Sequence, residues 1–451
     1  MAAAIGLVTV PLVTYFISPE EYGRCGMFTL AQSIISIVVY LGMDQAFVRE
    51  FHESKDIRRL LVNSMSLPIC FALIISGFIA VVPRFFSVLL FDTPNEIAVV
   101  YAISLLPTFM VLQHFGLLKI RMEEKGLKYS LLTILLKVIT LFLTVFFFVL
   151  YEKSFRSAVY AVIFAEIITS IIVALTALKK ISFFSTKRDK KLINKMLRFG
   201  VPLIPAGLLT WLLTSADKIM LRTMCSYTEL GLYTGAYKIV SILGIVQTCF
   251  TLIWTPVAYR WYESKQPNEQ FSLVNDVVSF AMTLGCILIL LCKELIALVL
   301  GPNFLESIYI FPFLMLYPIM YTMSETTACG IGFMRKTEYN IFLSILSGGS
   351  NIILNLILIP ILGGRGAAIA TGLSYIIFFW GRTLISRKLW YKFSLIWYVE
   401  YSLLVIANCL VHSFVIGPLP YFVSAVTIFI LLPNAYGIRI KIKKDFVYGG
   451  A

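Results

Sequence analysis

Residues 129–150 read YSLLTILLKVITLFLTVFFFVL and contain a single charged side chain, Lys137. An apolar run of 18 or more residues is long enough, as a helix, to cross a hydrocarbon core of roughly 30 Å. Runs of this kind recur along the whole chain of 451 residues, of which 59% are hydrophobic and 14% are charged. A soluble domain of this length needs more polar cover, so the composition indicates a bilayer environment. Because strand-like alternation is absent, the sequence predicts membrane-spanning helices rather than a barrel.

The spacing of the apolar runs predicts an all-α integral membrane protein with about fourteen transmembrane helices. We expect two parallel six-helix repeats, or lobes, followed by a C-terminal helix pair. The predicted spans lie near residues 2–17, 24–47, 60–82, 96–119, 129–150, 156–178, 200–221, 231–256, 273–299, 307–329, 338–361, 365–386, 395–416 and 419–437.

Basic side chains are distributed unevenly over the loops between these spans. Loops on one side carry 28 lysines and arginines, eight of them between Lys179 and Arg198, and loops on the other side carry seven. The positive-inside rule therefore places the basic side and both termini in the cytoplasm. Because the net charge of +14 is spread over many short loops and forms no single patch, we expect no nucleic-acid partner.

The chain resembles itself at an offset of 208 to 210 residues. The stretch from Ser18 to Gly23 matches the stretch from Ser226 to Gly231, and residues 156–161 match residues 365–370. An even number of helices per repeat makes both repeats cross in the same sense, which is typical of transporters. The simpler interpretation of the matching serines is a helix-capping box at the start of helices 2 and 8. The predicted domains are an N-terminal lobe, a basic cytoplasmic linker, a C-terminal lobe and a helix pair with a basic tail, at residues 1–178, 179–199, 200–388 and 389–451.

Charged side chains within the spans, or close to their ends, are candidate functional residues. A charge at mid-span costs about 3 kcal/mol or more, which favours a functional explanation. Lysine and arginine both bind phosphate oxygens, so the cationic excess favours an anionic substrate, phosphate above all. The candidate substrate-binding residues are Lys137, Lys238, Lys218, Asp217 and Arg49, and the candidates for coupling or ion pairing are Glu166, Asp44 and Glu325.

Several of these residues also have a structural interpretation, although Lys238 lies too deep to reach the interface without strain unless Asp217 pairs with it. Lys218 is close enough to the outer end of its helix to snorkel to the interface. Lys137 and Glu166 are equally well explained as an interhelical ion pair that only holds helices 5 and 6 together. Arg49 is a natural interface anchor, although it is also well placed for a phosphate at the inner mouth.

Several functional classes lack their usual signals. The chain contains no phosphate-binding P-loop, and its outward loops are too short for a catalytic domain. The eight cysteines include no C-x-x-C pair, and His52, His114 and His412 show no ligand spacing. We therefore expect no enzyme activity, no catalytic residues, no metal and no cofactor.

Energy for transport would come from ion gradients, the membrane potential or downhill consumption of the product.

Several stretches carry a resemblance to a known family. Residues 10–23 (VPLVTYFISPEEYG) are similar to the opening signature of bacterial polysaccharide exporters of the O-antigen flippase (Wzx) type. Residues 199–205 (FGVPLIP), followed by residues 215–218 (SADK), resemble the start of the second lobe in that family. Residues 351–360 and 363–368 (GGRGAA) are similar to its helix 11–12 turn. The family belongs to the MOP superfamily, which also contains lipid II flippases and multidrug exporters.

The resemblance implies movement of undecaprenyl-diphosphate-linked oligosaccharide from the inner to the outer leaflet of the bacterial cytoplasmic membrane. The purpose would be synthesis of O-antigen, capsule or exopolysaccharide, by alternating access of the two lobes. It also implies a cationic cavity between the lobes, and Lys137, Asp217, Lys218 and Lys238 occupy compatible positions. The implied partners are the lipid-linked oligosaccharide, membrane lipid and the polysaccharide polymerase machinery.

Three alternatives remain open from the sequence. A multidrug or small-molecule exporter of the same superfamily would favour acidic cavity residues, whereas lysines are in excess here. A membrane glycan polymerase or glycosyltransferase usually needs a sizeable outward loop with catalytic acids or histidines. A structural scaffold in a glycan-assembly complex is the third alternative.

Overall fold

The regular structure in the described part of the chain is entirely helical. We describe a computed structural model, which covers residues 2–178 and 188–448. Twelve of its helices are long and apolar enough to cross a membrane. The predicted all-α membrane class is therefore confirmed. Residues 179–187 of the predicted linker lie outside the described residues.

The predicted number of fourteen spans is not confirmed by these twelve helices. Helix α1 (Ala2–Phe16) has 15 residues, which is shorter than a typical span. The two helices predicted at residues 338–361 and 365–386 are both present within Glu338–Leu389, and they meet at a sharp bend at Gly363, whose φ and ψ values are not helical. They lie side by side, as shown by the hydrogen bond of 2.8 Å that the hydroxyl of Ser347 donates to the carbonyl of Ser374. The count depends on whether the short first helix is included and whether these two helices are counted separately, so fourteen stays a prediction.

The chain forms two compact units, of which the first consists of residues 1–218. Its boundary lies inside the helix that we predicted to open the second lobe, so the predicted domain boundaries stay a prediction. A short π-helical segment, Ala174–Leu178, extends the eighth helix of this unit. After α1, the helices are α2 (Pro19–Tyr40), α3 (Met43–Glu50), α4 (Ile57–Val81), α5 (Pro83–Phe91), α6 (Ile97–Met122), α7 (Gly126–Leu150), α8 (Phe155–Val173), α9 (Lys190–Gly200) and most of α10 (Leu203–Met224).

The second unit consists of residues 219–451. Its last two helices pack against each other and correspond to the predicted C-terminal helix pair. The helices are α11 (Tyr227–Glu263), α12 (Asn268–Leu291), α13 (Lys293–Leu300), α14 (Ser307–Leu314), α15 (Leu316–Thr327), α16 (Cys329–Phe333), α17 (Glu338–Leu389), α18 (Ile396–Phe414) and α19 (Leu419–Tyr448).

Serine side chains begin the matching helices of the two repeats, as the sequence predicts. The hydroxyl of Ser18 accepts a hydrogen bond of 3.3 Å from the amide of Glu21 at the start of α2. The hydroxyl of Ser226 accepts one of the same length from the amide of Glu229 at the start of α11. These bonds satisfy amides that have no partner within the helix. The capping interpretation is therefore confirmed for both serines.

A glycine–glycine contact sets the packing of α3 against α9 in the first unit. Leu41 and Gly42, which separate α2 from α3, have left-handed φ values of 53° and 66°. A Cβ atom at Gly42 would overlap the carbonyl oxygen of Gly200, and one at Gly200 would lie 2.6 Å from the carbonyl oxygen of Gly42. Only residues without a Cβ allow two backbones to approach this closely. The start of α3 and the end of α9 are therefore fixed against each other.

A second glycine sets the bend in α17. Gly363 has φ 55° and ψ −132°, a conformation that residues with a side chain rarely adopt. The next amide, of Gly364, donates a hydrogen bond of 2.7 Å to the Oε2 atom of Glu229. An interrupted helix leaves backbone groups without a partner in the helix, so this carboxylate stabilises the bend. The Glu229 side chain therefore joins the start of α11 to the bend in α17.

We expect Gly363→Ala to lower the stability of the protein. An alanine at this position would have a strained backbone conformation, because its φ would be 55°. Its Cβ atom would also lie 2.6 Å from the Oε2 atom of Glu229. Strain of this kind costs about 1–3 kcal/mol. Thermal unfolding of the detergent-purified protein should show a clear fall in Tm.

Gly349→Ala is the matched control, because it lies in the same helix and a Cβ there would meet no atom within 4 Å. Alanine is the better helix former, so this variant should keep or slightly raise the Tm. Equal Tm values for the two variants would show that the bend does not require glycine.

Candidate functional site

Arg49 lies in a cleft formed by α3 and α9 in the first unit. The cleft has a volume of about 470 Å³. The guanidinium of Arg49 stacks over the ring of Phe199, with 4.6 Å between its central carbon and the ring centroid. We call this feature the α3–α9 cleft and define it by its lining residues, Arg49, Lys191, Asn194, Lys195, Arg198 and Phe199.

Polar contacts hold α9 in place beside the cleft. Asp189 caps the helix, because its Oδ1 atom accepts hydrogen bonds from the first-turn amides of Lys191 and Leu192 at 3.0 and 3.2 Å. The backbone amide of Asp189 donates a hydrogen bond of 2.7 Å to Oδ1 of Asn63. The Oδ2 atom of Asp189 lies 2.9 Å from a guanidinium nitrogen of Arg59. Both partners belong to α4. The helix is therefore attached to α4 at its start and to α3 at its end.

Asp44, a candidate for coupling, faces a histidine rather than a cation of fixed charge. Its Oδ2 atom lies 3.5 Å from Nε2 of His114 on α6. The His114 ring stacks on Tyr40, with centroids 4.2 Å apart and planes 12° apart. The position of His114 in the sequence does not indicate a contact with Asp44, and only the fold brings the two side chains together. These three side chains form a polar group at the junction of α2, α3 and α6.

Glu166 and Lys137 lie on the neighbouring helices α8 and α7. Glu166 is 7% exposed, and Lys137 is the charged side chain that acts on it electrostatically. Among the described residues, their charged atoms do not approach within 4.0 Å, whereas close ion pairs do form elsewhere in the unit. Lys137 itself is exposed on the surface of the unit. The two residues therefore interact at longer range than a direct ion pair.

The remaining candidate substrate-binding residues fall in different units. Asp217 and Lys218 are neighbours on α10 at the end of the first unit, and the Asp217 side chain is buried. Lys238 lies on α11 in the second unit and is exposed there. Their role in substrate binding stays a prediction.

Glu325 takes part in a buried ion pair that the sequence did not predict. Its Oε1 atom lies 2.7 Å from Nη1 of Arg382, and the two side chains are 11% and 14% exposed. Arg382 also donates to the hydroxyl of Ser324 at 2.7 Å and lies over the rings of Phe378 and Tyr321. The pair joins α15 to α17, so this geometry explains Glu325 as a residue that holds two helices together.

Asp276 is a second buried acid that sequence reasoning missed. It lies on α12, and its Oδ2 atom is 2.6 Å from Nζ of Lys441 on α19. The hydroxyl of Tyr398 donates to its other oxygen at 3.3 Å. The sequence did contain a signal for Asp276, because this acid lies among apolar residues in the predicted span 273–299. Within the described ranges, no group of three or more histidine, cysteine or acidic residues is placed to hold a metal ion.

We expect the Glu325–Arg382 pair to contribute strongly to stability. Arg382→Gln would leave the Glu325 carboxylate buried without its partner, and breaking a buried pair costs about 3–5 kcal/mol. Thermal unfolding in detergent should show a large fall in Tm.

Lys336→Gln removes a cation from a comparable pair at the surface. Lys336 lies 3.8 Å from Glu338, and these side chains are 54% and 61% exposed. Exposed pairs contribute about 0–1 kcal/mol, so the Tm should hardly change. Similar Tm values for Arg382→Gln and Lys336→Gln would contradict a stabilising role for the buried pair.

Solved structures similar to this chain are membrane transporters. One described as "Lipid II flippase MurJ, inward closed conformation" has a TM-score of 0.70 and 17% identity, covering 99% of this chain and 98% of that chain. An inward-facing multidrug resistance MATE transporter of the MOP superfamily has a TM-score of 0.62 and 17% identity, covering 86% and 94%. An outward-facing multidrug resistance MATE transporter of the MOP superfamily has a TM-score of 0.57 and 17% identity. The match covers 86% of this chain and 93% of that chain. These likenesses show the fold that the chain shares with the MOP superfamily.

Sequence comparison leads to the family. A search of curated protein sequences finds no match to the chain. The family model described as "Polysaccharide biosynthesis protein" matches residues 1–260, which is more than half of the chain. This multi-pass membrane protein therefore belongs to the polysaccharide biosynthesis protein family.

Proposed function

We propose that this protein is a flippase for undecaprenyl-diphosphate-linked oligosaccharide. It moves the lipid-linked glycan from the inner to the outer leaflet of the bacterial cytoplasmic membrane, and the glycan is used for O-antigen, capsule or exopolysaccharide synthesis. The observation that carries the proposal is the match to the polysaccharide biosynthesis family over residues 1–260. The likeness to a lipid II flippase over 99% of the chain supports a transporter fold for that role.

The proposed substrate contacts are cations located in membrane-spanning helices. Lys137 and Lys238 are exposed side chains within candidate spans of the first and second unit. A lysine in a membrane span is costly unless it faces an anion or water, and a diphosphate supplies such an anion. Arg49, Asp217 and Lys218 complete the proposed substrate-binding set. Glu166, buried in the first unit, is a proposed coupling residue.

We further propose that both termini and the basic loops face the cytoplasm. The distribution of 28 basic residues on one side and seven on the other supports this orientation. Arg49 and α9 then lie at the cytoplasmic surface, where the lipid-linked substrate is made available. A polysaccharide polymerase that consumes the flipped glycan is the proposed partner on the opposite side.

A multidrug exporter is the second candidate, because two of the similar structures are MATE transporters. Such an exporter needs acids that bind cations, and the buried Glu166 is compatible with that requirement. The proposed substrate-binding set contains four cations and one acid, Asp217, and this cationic excess favours the flippase. An assay with a cationic dye in place of the glycan lipid separates the two functions.

We expect the purified protein to flip a short fluorescent glycan linked to polyprenyl diphosphate in liposomes. A membrane-impermeant quencher reports which leaflet holds the glycan, so the protected fraction should fall faster than in protein-free liposomes. Lys137→Ala and Lys238→Ala should each abolish flipping while membrane insertion stays normal, because the diphosphate loses a charge-assisted contact.

Lys336→Ala is the control for this assay, because Lys336 is exposed at the start of α17 and outside the proposed substrate set. It should flip at the wild-type rate. Wild-type activity in both Lys137→Ala and Lys238→Ala would reject the substrate-site assignment. Equal rates with and without folded wild-type protein, under ion gradients and a membrane potential, would reject the flippase proposal.

A further inference from the structure

We infer that the α3–α9 cleft binds the phosphate group of an anionic membrane lipid at the cytoplasmic surface of the first unit. The inference concerns binding alone. It can therefore hold whether or not the protein flips a glycan lipid, although its orientation follows the proposed topology.

Positive charge in the cleft exceeds negative charge. Lys195 forms an ion pair with Glu50, and its Nζ atom also lies 3.6 Å from Oε2 of Glu53. Both acids therefore act on the same lysine. Within the part of the chain that the structure describes, a carboxylate partner within 4.0 Å is lacking for the other three cations, Arg49, Lys191 and Arg198. Three positive charges are consequently left for a ligand.

The helical spacing of α9 directs its polar residues to one face. Residues 191, 194, 195 and 198 follow the i, i+3, i+4 and i+7 positions, which are neighbours on a helix surface. The opposite face packs into the apolar core, where Met196 is 1% exposed and Leu192 and Leu197 contact the same cluster. The buried face fixes the rotation of the helix, so the basic face points toward Arg49 of α3.

The arrangement is rigid at its centre. Phe199 supports the guanidinium plane of Arg49 at 4.6 Å, which limits the rotation of that side chain. The backbone contact between Gly42 and Gly200 sets the distance between the two helices. A site that is formed before its ligand arrives loses less entropy on binding.

The chemistry and size of the cleft fit a phosphate or diphosphate group. Arginines such as Arg49 and Arg198 bind two phosphate oxygens at once, and Lys191 adds a compact charge. The Asn194 amide supplies a neutral donor. The volume of about 470 Å³ lies within the usual range for small-molecule sites and leaves room for a group beyond the phosphate.

The position of α9 favours a lipid over a soluble anion. Helices α9 and α10 lie within one candidate membrane segment, Lys190–Met224, so the cleft is next to the point where the chain enters the bilayer. Amphipathic basic helices at this depth bind anionic headgroups. The phosphate could belong to a polyprenyl diphosphate or to a phospholipid, and the two sources share the recognition chemistry.

Lipid binding to the full-length protein tests the inference. Native mass spectrometry in detergent would compare the affinity for a polyprenyl diphosphate, phosphatidylglycerol and phosphatidylcholine, with pyrophosphate as a soluble competitor. We expect the double variant R49Q/R198Q to weaken binding of one or both anionic lipids by about tenfold or more, because two charge-assisted hydrogen-bond donors are lost. The single variant K191Q should show a smaller effect in the same direction.

The matched control is K55Q/R58Q, which removes two exposed cations from the same predicted side of the first unit, outside the cleft. It should bind the lipids as the wild type does. Arg49, Lys191 and Arg198 are exposed, so all variants should keep the wild-type Tm.

The outcomes separate the possible ligands. A cleft-dependent preference for polyprenyl diphosphate assigns the site to a substrate-like lipid, and equal binding of phosphatidylglycerol assigns it to phospholipid headgroups. Either result supports the inference. It is overturned if both double variants lose affinity equally, if phosphatidylcholine binds as tightly as the anionic lipids, or if pyrophosphate binds and no lipid does.

Discussion

The need to pair backbone amides and carbonyls decides where the helices of this chain can be interrupted. A helix satisfies these groups internally, so an interruption needs both a permissive residue and a new partner. At the bend in α17, Gly363 supplies the backbone conformation and Glu229 accepts the hydrogen bond of the following amide. At the break between α2 and α3, Gly42 allows the backbone of Gly200 to come into contact. The packing of each unit depends on these two places.

Buried charge is handled in the same way, by pairing. Arg156 contacts both oxygens of Glu96, and Arg382 pairs with Glu325. An unpaired buried charge would cost several kcal/mol, so such pairs are a condition of the fold and say little about function. The α3–α9 cleft differs, because its cations are exposed and outnumber the nearby acids. Exposure removes the cost of desolvation, and the charge excess is then available to a ligand.

The sequence predicted what depends on local patterns and missed what depends on contacts between distant helices. Apolar length gave the all-helical membrane class, and the serine spacing gave the caps at Ser18 and Ser226. The partner of Glu325 was missed because Arg382 is 57 residues away in the sequence, and local patterns do not show which distant helices pack together. The basic residues of α9 were read as linker charges. Their helical spacing was visible, but the docking of that helix beside Arg49 depends on tertiary contacts.

The internal repeat explains one difference between the two units. Arg156 and Arg365 match in the repeat. Arg156 contacts the start of α6, and Arg365 contacts the start of α14, which are the fourth predicted spans of the two repeats. In the first unit the contact is an ion pair of 2.6 Å with Glu96, whereas in the second it is a cation–π contact of 4.6 Å with Tyr309. A cation–π contact uses the face of the guanidinium, so the N–H groups of Arg365 stay available for another partner. Arg365 lies 3.5 Å from the carbonyl of Ser413 at the end of α18, in the helix pair that the first repeat lacks. The matched arginine therefore occurs in both repeats, while its partner changes from an acid in the first unit to an aromatic ring and a backbone carbonyl in the second.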